Sequence, residues 1–262
     1  YGTYFWRREG MKRSLAIASW ALVFLFLAAP AWAGSPTAAE AFNKGVSFYD
    51  AGRFEDAAKW LRMAAERGNA DAQHILGVIY QSGQGVPQDN LEAAKWYLKA
   101  AERGQVIAQF NLGVMYDQGL GVRRDYSKAA KWFRKAAGQG NADAQFNLGL
   151  MNKLGRGVPE DYSAAVRWFQ KAADQGQDKA QLNLGVMYAN GEGIPRDYVQ
   201  AHMWFNLAAH NGLEVAEKNR DIIATEMTPR QIAKAQRLAR EWKPKKEPGI
   251  SQIELSIQPK LT

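Results

Sequence analysis

Residues 69–104 read NADAQHILGVIYQSGQGVPQDNLEAAKWYLKAAERG, and residues 105–140 read QVIAQFNLGVMYDQGLGVRRDYSKAAKWFRKAAGQG. The two stretches align without a gap. The same step of 36 residues separates Trp60, Trp96, Trp132, Trp168 and Trp204. It also separates Gly77, Gly113, Gly149 and Gly185, and again Asp89, Asp125, Asp161 and Asp197. Gly68, Gly104, Gly140, Gly176 and Gly212 follow it too. Agreement in so many registers defines an internal repeat. The units are 69–104, 105–140, 141–176 and 177–212.

Each unit predicts two helices. In 69–104 the first runs over Ala70 to Gln81, with Ala72, Leu76, Gly77 and Tyr80 at helical spacing. Gly77 lacks a Cβ and lets a neighbouring helix come close. Gly83-Gln84-Gly85-Val86-Pro87 ends the first helix, because glycine reaches left-handed backbone and proline cannot continue a helix. Asp89 caps the second helix, with Glu92 placed to complete a capping box, and Asp197 with Gln200 repeats the pair. Ala93, Trp96, Ala100 and Ala101 form the apolar side of that helix, which stops at Gly104. The spacing of the tryptophans, and of Tyr80, Tyr116 and Tyr188, predicts core positions; Asn152 interrupts the tyrosine column.

Outward from this array, residues 38–68 form a shorter unit without the G-x-G-V insertion, so Gly45 precedes Gly77 by 32 residues. At the other end, 213–227 starts as a sixth unit with Ala216 in register, but Arg220 and Asp221 stand where Leu and Gly are expected. Terminal repeats need a polar outer face, and these residues supply it. Thr228-Pro229-Arg230-Gln231 starts a last helix that runs to about Trp242, so 213–243 reads as a helical cap. Residues 244–262 read as a flexible tail.

Residues 1–10 precede the first methionine, Met11, and are set aside. Lys12 and Arg13, the apolar stretch Leu15 to Ala29 and the A-x-A site at Ala31-Trp32-Ala33 make 11–33 a secretory signal peptide, with an uncleaved anchor as the alternative. The apolar stretch is shorter than the ~20 residues of a membrane span. Once it is cleaved no membrane span remains, and the expected location is periplasmic or secreted. Removing the four Lys/Arg and one acidic residue of 1–33 takes the formal charge from +8 to +5. Outside the cytoplasm this excludes nucleic acid as the partner and leaves acidic proteins or cell-wall polyanions.

The motifs A-x-x-x-L-G-x-x-Y, G-x-G-V-P-x-D and A-x-x-W-x-x-K-A-A-x-x-G resemble the Sel1-like repeat, a relative of the tetratricopeptide repeat. The resemblance covers 38–212; the first unit, with Gly45, Phe48, Gly52, Phe54, Ala57 and Ala64, is similar to a plain tetratricopeptide unit. It implies an all-α, right-handed α-solenoid that works as an adaptor or scaffold for a protein or peptide partner. Periplasmic members of the family regulate envelope signalling, so the resemblance also implies the periplasmic domain of a signalling protein as partner. A cell-wall binder of peptidoglycan or anionic glycans is the alternative.

In such a solenoid the first helices line the concave side, and positions i, i+4, i+7 and i+11 form one stripe on each. The stripes are Ile107, Asn111, Val114, Gln118; Asp143, Asn147, Leu150, Leu154; and Lys179, Asn183, Val186, Asn190. Asn111, Asn147, Asn183 and Asn219 recur every 36 residues, whereas position 75 is isoleucine. An asparagine amide both donates and accepts, so it can pair with an extended peptide backbone. Tetratricopeptide peptide clamps use an asparagine two residues before the helical glycine, and the resemblance places that role on Asn111, Asn147 and Asn183. All are expected to be partly exposed, with Val114, Leu150 and Val186 beside them. The alternative is that the amides bond the neighbouring repeat and hold the stack.

Enzyme readings fail on the residues. There is no cysteine. The three histidines, His74, His202 and His210, have no metal-site spacing, and no cofactor motif is present: the G-x-G elements lie between two helices and lack a following lysine. A cysteine-rich branch of secreted relatives is associated with penicillin binding, but S-x-x-K and K-T-G are absent here. The expectation is a binding protein without catalytic residues.

Overall fold

The computed structural model describes residues 35–245. The expected export signal at 11–33, the set-aside 1–10 and residues 246–262 of the expected tail lie outside the described residues. Within 35–245 the chain forms α-helices and no strand. The pairs are α1 (Ala38–Asp50) with α2 (Phe54–Glu66), α3 (Ala70–Ser82) with α4 (Asn90–Glu102), and α5 (Val106–Gln118) with α6 (Tyr126–Gly138). They continue with α7 (Ala142–Leu154) and α8 (Tyr162–Asp174), then α9 (Asp178–Asn190) and α10 (Tyr198–His210). The chain closes with α11 (Glu214–Ala224) and α12 (Pro229–Glu241). From α1 to α11 each helix packs against its neighbours in sequence, the one-dimensional arrangement of an α-solenoid.

Local chemistry sets the boundaries. Asn69 caps α3 by accepting the Ala72 N–H at 2.7 Å, and Asn141 caps α7 through Ala144 at 2.8 Å. The first helices α3, α5, α7 and α9 end on Gly83, Gly119, Gly155 and Gly191, all left-handed with φ of 71°, 78°, 64° and 76°. The second glycine of each turn makes close approach possible, since a Cβ on Gly157 would overlap the backbone of Tyr126 in the preceding repeat. The G-x-G turn thus ends a helix and touches the neighbouring unit. After the turn, the Asp161 N–H bonds the carbonyl of Asn152 at 2.9 Å, as Asp89 bonds Tyr80 and Asp125 bonds Tyr116. Because this bond uses backbone at position 152, asparagine serves there as well as tyrosine.

Asp89 accepts the N–H groups of Leu91 and Glu92 at 2.9 and 3.0 Å, but the expected capping box is only half formed. The Glu92 carboxylate turns to Lys95 at 3.0 Å instead of reaching back to the cap. Thr228 and Gln231 form both halves of their box.

The centre of each repeat is an aromatic ring set against a glycine. A Cβ on Gly113, Gly149 or Gly185 would lie 2.7, 2.5 or 2.6 Å from the ring of Phe133, Phe169 or Phe205, and Gly77 faces Tyr97 in the same way. Tyr97, Phe133, Phe169 and Phe205 are among the largest fully buried side chains. They follow the tryptophans by one residue, so the deepest column is the neighbour of the one that spacing marks. Trp96, Trp132 and Trp204 are buried at the edge of the core, while Trp60 and Trp168 are half-buried. A lysine one turn on lies over three of these rings, with Nζ 4.0, 4.2 and 4.9 Å from the centroids of Trp96, Trp132 and Trp168.

A buried glutamine column joins successive repeats. Gln73, Gln109, Gln145 and Gln181 donate Nε2 to the carbonyls of Ala65, Ala101, Ala137 and Ala173 at 2.9, 3.1, 3.2 and 3.3 Å. Those carbonyls belong to the last turn of the preceding second helix, where each also accepts the N–H of the glycine three residues on, at 2.9–3.1 Å. Gln139 and Gln175 then donate to Oε1 of Gln109 and Gln145 at 2.8 Å each. The corresponding residues one repeat earlier and later are Arg103 and Asn211, and Oε1 of Gln73 and Gln181 has no partner.

The C-terminal end departs from the sixth-unit pattern. α12 does not pair with α11; it folds back onto α10. Leu238, Ala239 and Trp242 pack with Met203, Trp204 and Leu207, and the Trp242 ring meets Trp204 edge-on at 6.4 Å. The chain stays docked beyond the helix: the Lys245 N–H bonds the Asp174 carbonyl at 2.7 Å and its Nζ pairs with the Asp174 carboxylate at 2.8 Å. The first residues of the expected tail are therefore fixed on the end of α8. On α11, Arg220 and Asp221 pair at 2.8 Å as a polar outer patch, but Val215 and Ile222 beside them are 57% and 65% exposed.

In the second repeat His74 and Tyr97 occupy the places of Phe110 with Phe133 and Phe146 with Phe169, with centroids 5.9, 5.8 and 5.9 Å apart. Burial disfavours the imidazolium and pushes the His74 pKa down from 6.5 to about 4. The unfolded chain then takes up the proton first as pH falls. The associated stability is full above 6.5, declines between 6.5 and 4 and is lost below about 4.

Two outcomes are expected. Gly149→Ala should cost about 1–3 kcal/mol by overpacking against Phe169, despite alanine's better helix propensity. In a Phe169→Ala background that cost should vanish, and denaturant unfolding of the four proteins of this cycle measures the coupling. Between pH 6.5 and 4 the wild-type chain should lose roughly 3 kcal/mol more stability than His74→Phe, as read from urea midpoints across that range.

Candidate functional site

The asparagine column runs along the first helices α5, α7, α9 and α11, but its members are not equivalent. Asn111 is only 6% exposed, against the expectation of partial exposure. Its Nδ2 meets Nε2 of His74 in the preceding repeat at 3.4 Å and is also directed at the Tyr97 hydroxyl of α4, which itself donates to Gln81. Asn147 is half-buried and donates Nδ2 to the Asp143 carbonyl of its own helix at 2.8 Å. Asn183 is likewise partly exposed and donates to the Lys179 carbonyl at 2.8 Å.

The residue 37 positions earlier decides the difference. For Asn111 it is His74; for Asn147 and Asn183 it is Phe110 and Phe146. Only a polar side chain can receive an amide across the repeat junction. The amides of Asn147 and Asn183 turn instead to their own backbone, and each keeps an acceptor oxygen and a second N–H. Asn219, half-buried on α11, has Leu182 at that distance.

Of the apolar neighbours, Val114 is buried at 9% exposure and packs with Ala129 and Leu148, so it is removed from the accessible face. Leu150 and Val186 are half-buried. Val186, Ala189, Asn190, Phe205, Asn219, Ile222 and Ile223 line a cavity of about 220 Å³ at the C-terminal end of the column. Sequence reading did not find this cavity. Its signal was the apolar pair Val186 and Ile222, 36 residues apart on the Asn183–Asn219 stripe.

Electrostatics on this face are mild. Burial raises the Asp143 carboxyl pKa, opposed by a hydrogen bond from Gln177 and the charge of Lys179. His202 is lowered by burial and by the Arg220 charge. Among the described residues no group of His, Asp and Glu could hold a metal ion, and no helix is long and apolar enough to cross a membrane.

The arrangement offers hydrogen-bonding amides beside an apolar cavity and suits recognition of a chain segment. The comparisons agree on the fold. The Sel1 repeat family model matches residues 50–69, 70–105, 106–141, 142–177 and 178–213. A Sel1 repeat protein from Oxalobacter formigenes is 33% identical, with 75% of this chain and 84% of that one covered and a TM-score of 0.64. A protective antigen of uropathogenic Escherichia coli strains, described as displaying an SLR fold, is 32% identical over 78% of this chain, with a TM-score of 0.71. This chain spans only 46% of that protein's length. No curated protein matches the chain. The Sel1 family is generally a non-catalytic scaffold that mediates protein interactions. With five consecutive repeat matches laid on α2 and the four helix pairs from α3 to α10, the chain belongs to the Sel1 repeat family.

Proposed function

We propose that the chain is an exported adaptor that binds an extended peptide segment of a protein partner along the first-helix face. The observation that carries this reading is the coincidence of the part-exposed Asn147 and Asn183 with the 220 Å³ cavity at Asn219. The amides of α7, α9 and α11 pair with peptide groups about three residues apart along the extended ligand, and the cavity takes one of its apolar side chains. Asn111 has no part in binding; its amide belongs to the junction with His74. The partner we propose is the periplasmic segment of an envelope signalling protein, supported by the family resemblance and by the signal-peptide pattern at 11–33.

The binding test uses Asn147→Ala and Asn183→Ala on residues 34–262, with the partner recovered from envelope extract. Each substitution should weaken binding by about 1–3 kcal/mol, five- to more than a hundredfold in Kd, with the melting temperature unchanged. A lowered melting temperature with unaltered affinity would sink the reading, and recovery of muropeptide in place of a protein would replace it with the cell-wall one. Export is checked separately: mass spectrometry of the exported protein should find Gly34 at its N-terminus, and an intact Met11 start in the membrane fraction would reject cleavage.

A further inference from the structure

Charge is sorted by face in this solenoid. From α3 onward the first helices α3, α5, α7, α9 and α11 hold seven acidic and four basic residues, whereas α4, α6, α8, α10 and α12 hold twelve basic and four acidic ones. On the outer side of the second helices two columns repeat: Lys95, Lys131 and Arg167, and one turn on Lys99, Lys135 and Lys171, all exposed. Of the acidic residues on these helices, Glu92 is paired with Lys95 and Asp174 with Lys245. Among the described residues no carboxylate lies in salt-bridge range of Lys99, Lys131, Lys135, Arg167 or Lys171.

On α10 the same two columns carry Met203 and Leu207. That gap in the charge is where α12 lies. Leu238, Ala239 and Trp242 cover Met203 and Leu207, and the opposite side of α12 exposes Arg230, Lys234, Arg237 and Arg240 with Glu241 as its one acidic residue. The folded-back helix restores positive charge over the one second helix that lacks it. The basic surface thus continues from α4, α6 and α8 onto α12, whose following residues reach the end of α8 through Lys245 and Asp174.

We infer that this second-helix face docks on a bilayer surface rich in anionic phospholipid. The cations spread in two dimensions over adjacent helices, and neither cavity is cut into the α6–α8–α12 part of the surface. The Trp96 and Trp132 rings, 5% and 8% exposed, and the half-buried Trp168 ring each lie beneath a lysine ammonium group, which competes with sugars or bases for the ring face. What remains for a partner to read is charge, which an anionic headgroup layer complements, each nearby Lys or Arg adding to the attraction. This leaves the first-helix face open, so the docking neither requires nor excludes peptide binding there.

The test is co-sedimentation of residues 34–262, which contain every described helix, with vesicles of phosphatidylcholine alone or with about 30 mol% phosphatidylglycerol. Binding is expected only to the anionic vesicles, at about 0.1 M salt, and should be lost near about 0.5 M. Lys131→Glu with Lys135→Glu should lower partitioning at least tenfold, and so should Arg237→Glu with Arg240→Glu, although the two pairs are remote in sequence. Lys179→Glu with Lys218→Glu, on the first helices, should leave it within about twofold, and unchanged melting temperatures exclude unfolding as the cause. No binding to anionic vesicles, equal loss from the Lys179/Lys218 pair, or retention by polyphosphate in place of vesicles would each overturn the inference.

Discussion

The contact between a first-helix glycine and a second-helix aromatic ring is the constraint on which this structure depends. At Gly149 the ring of Phe169 occupies the space a methyl group would need. This brings the two helices of a repeat together at a single depth, and the 36-residue period copies that depth along the chain. The small residues around it, such as Ala165, Ala172 and Ala173, are fully buried because the helices are already so close. Larger side chains cannot enter, so the fold extends by adding repeats rather than by enlarging a core.

Polar groups join one repeat to the next. The Gln73, Gln109, Gln145 and Gln181 amides give buried carbonyls at helix ends a second donor, beside the glycine N–H that each already accepts. The G-x-G turns add backbone contact with the preceding unit. Both devices act between neighbours only, and the two ends of the array show the consequence. Beyond α10 the described chain leaves the repeat pattern, and the uncovered side of α10 is closed by α12 folding back over Met203 and Trp204.

This closure shapes both surfaces. The first-helix face keeps the amides of Asn147 and Asn183 accessible and ends in the cavity beside Asn219. The second-helix face carries the basic columns, with α12 supplying the charge that α10 lacks. A solenoid exposes two long faces at once, so binding on one need not compete with the other.

The periodic columns, the aspartate caps and the glycine turns were legible in the residues; the asparagine caps Asn69 and Asn141 came from the structure. Each acts within one helix or across one turn, where spacing along the chain equals spacing in space. The tryptophan column was read as core, and for Trp96, Trp132 and Trp204 that is where it lies. That the ring facing the glycine belongs to the next residue was not legible, because both columns share one period. Similarity of position also failed at the asparagines. Asn111 is buried and Asn183 is not, since their surroundings differ at His74 and Phe146 in the preceding repeat. Sequence by itself therefore determined the repeat, its helices and their ends. The tertiary structure alone decided which asparagine stays exposed and where α12 lies, because those outcomes depend on side chains that meet through space from different repeats.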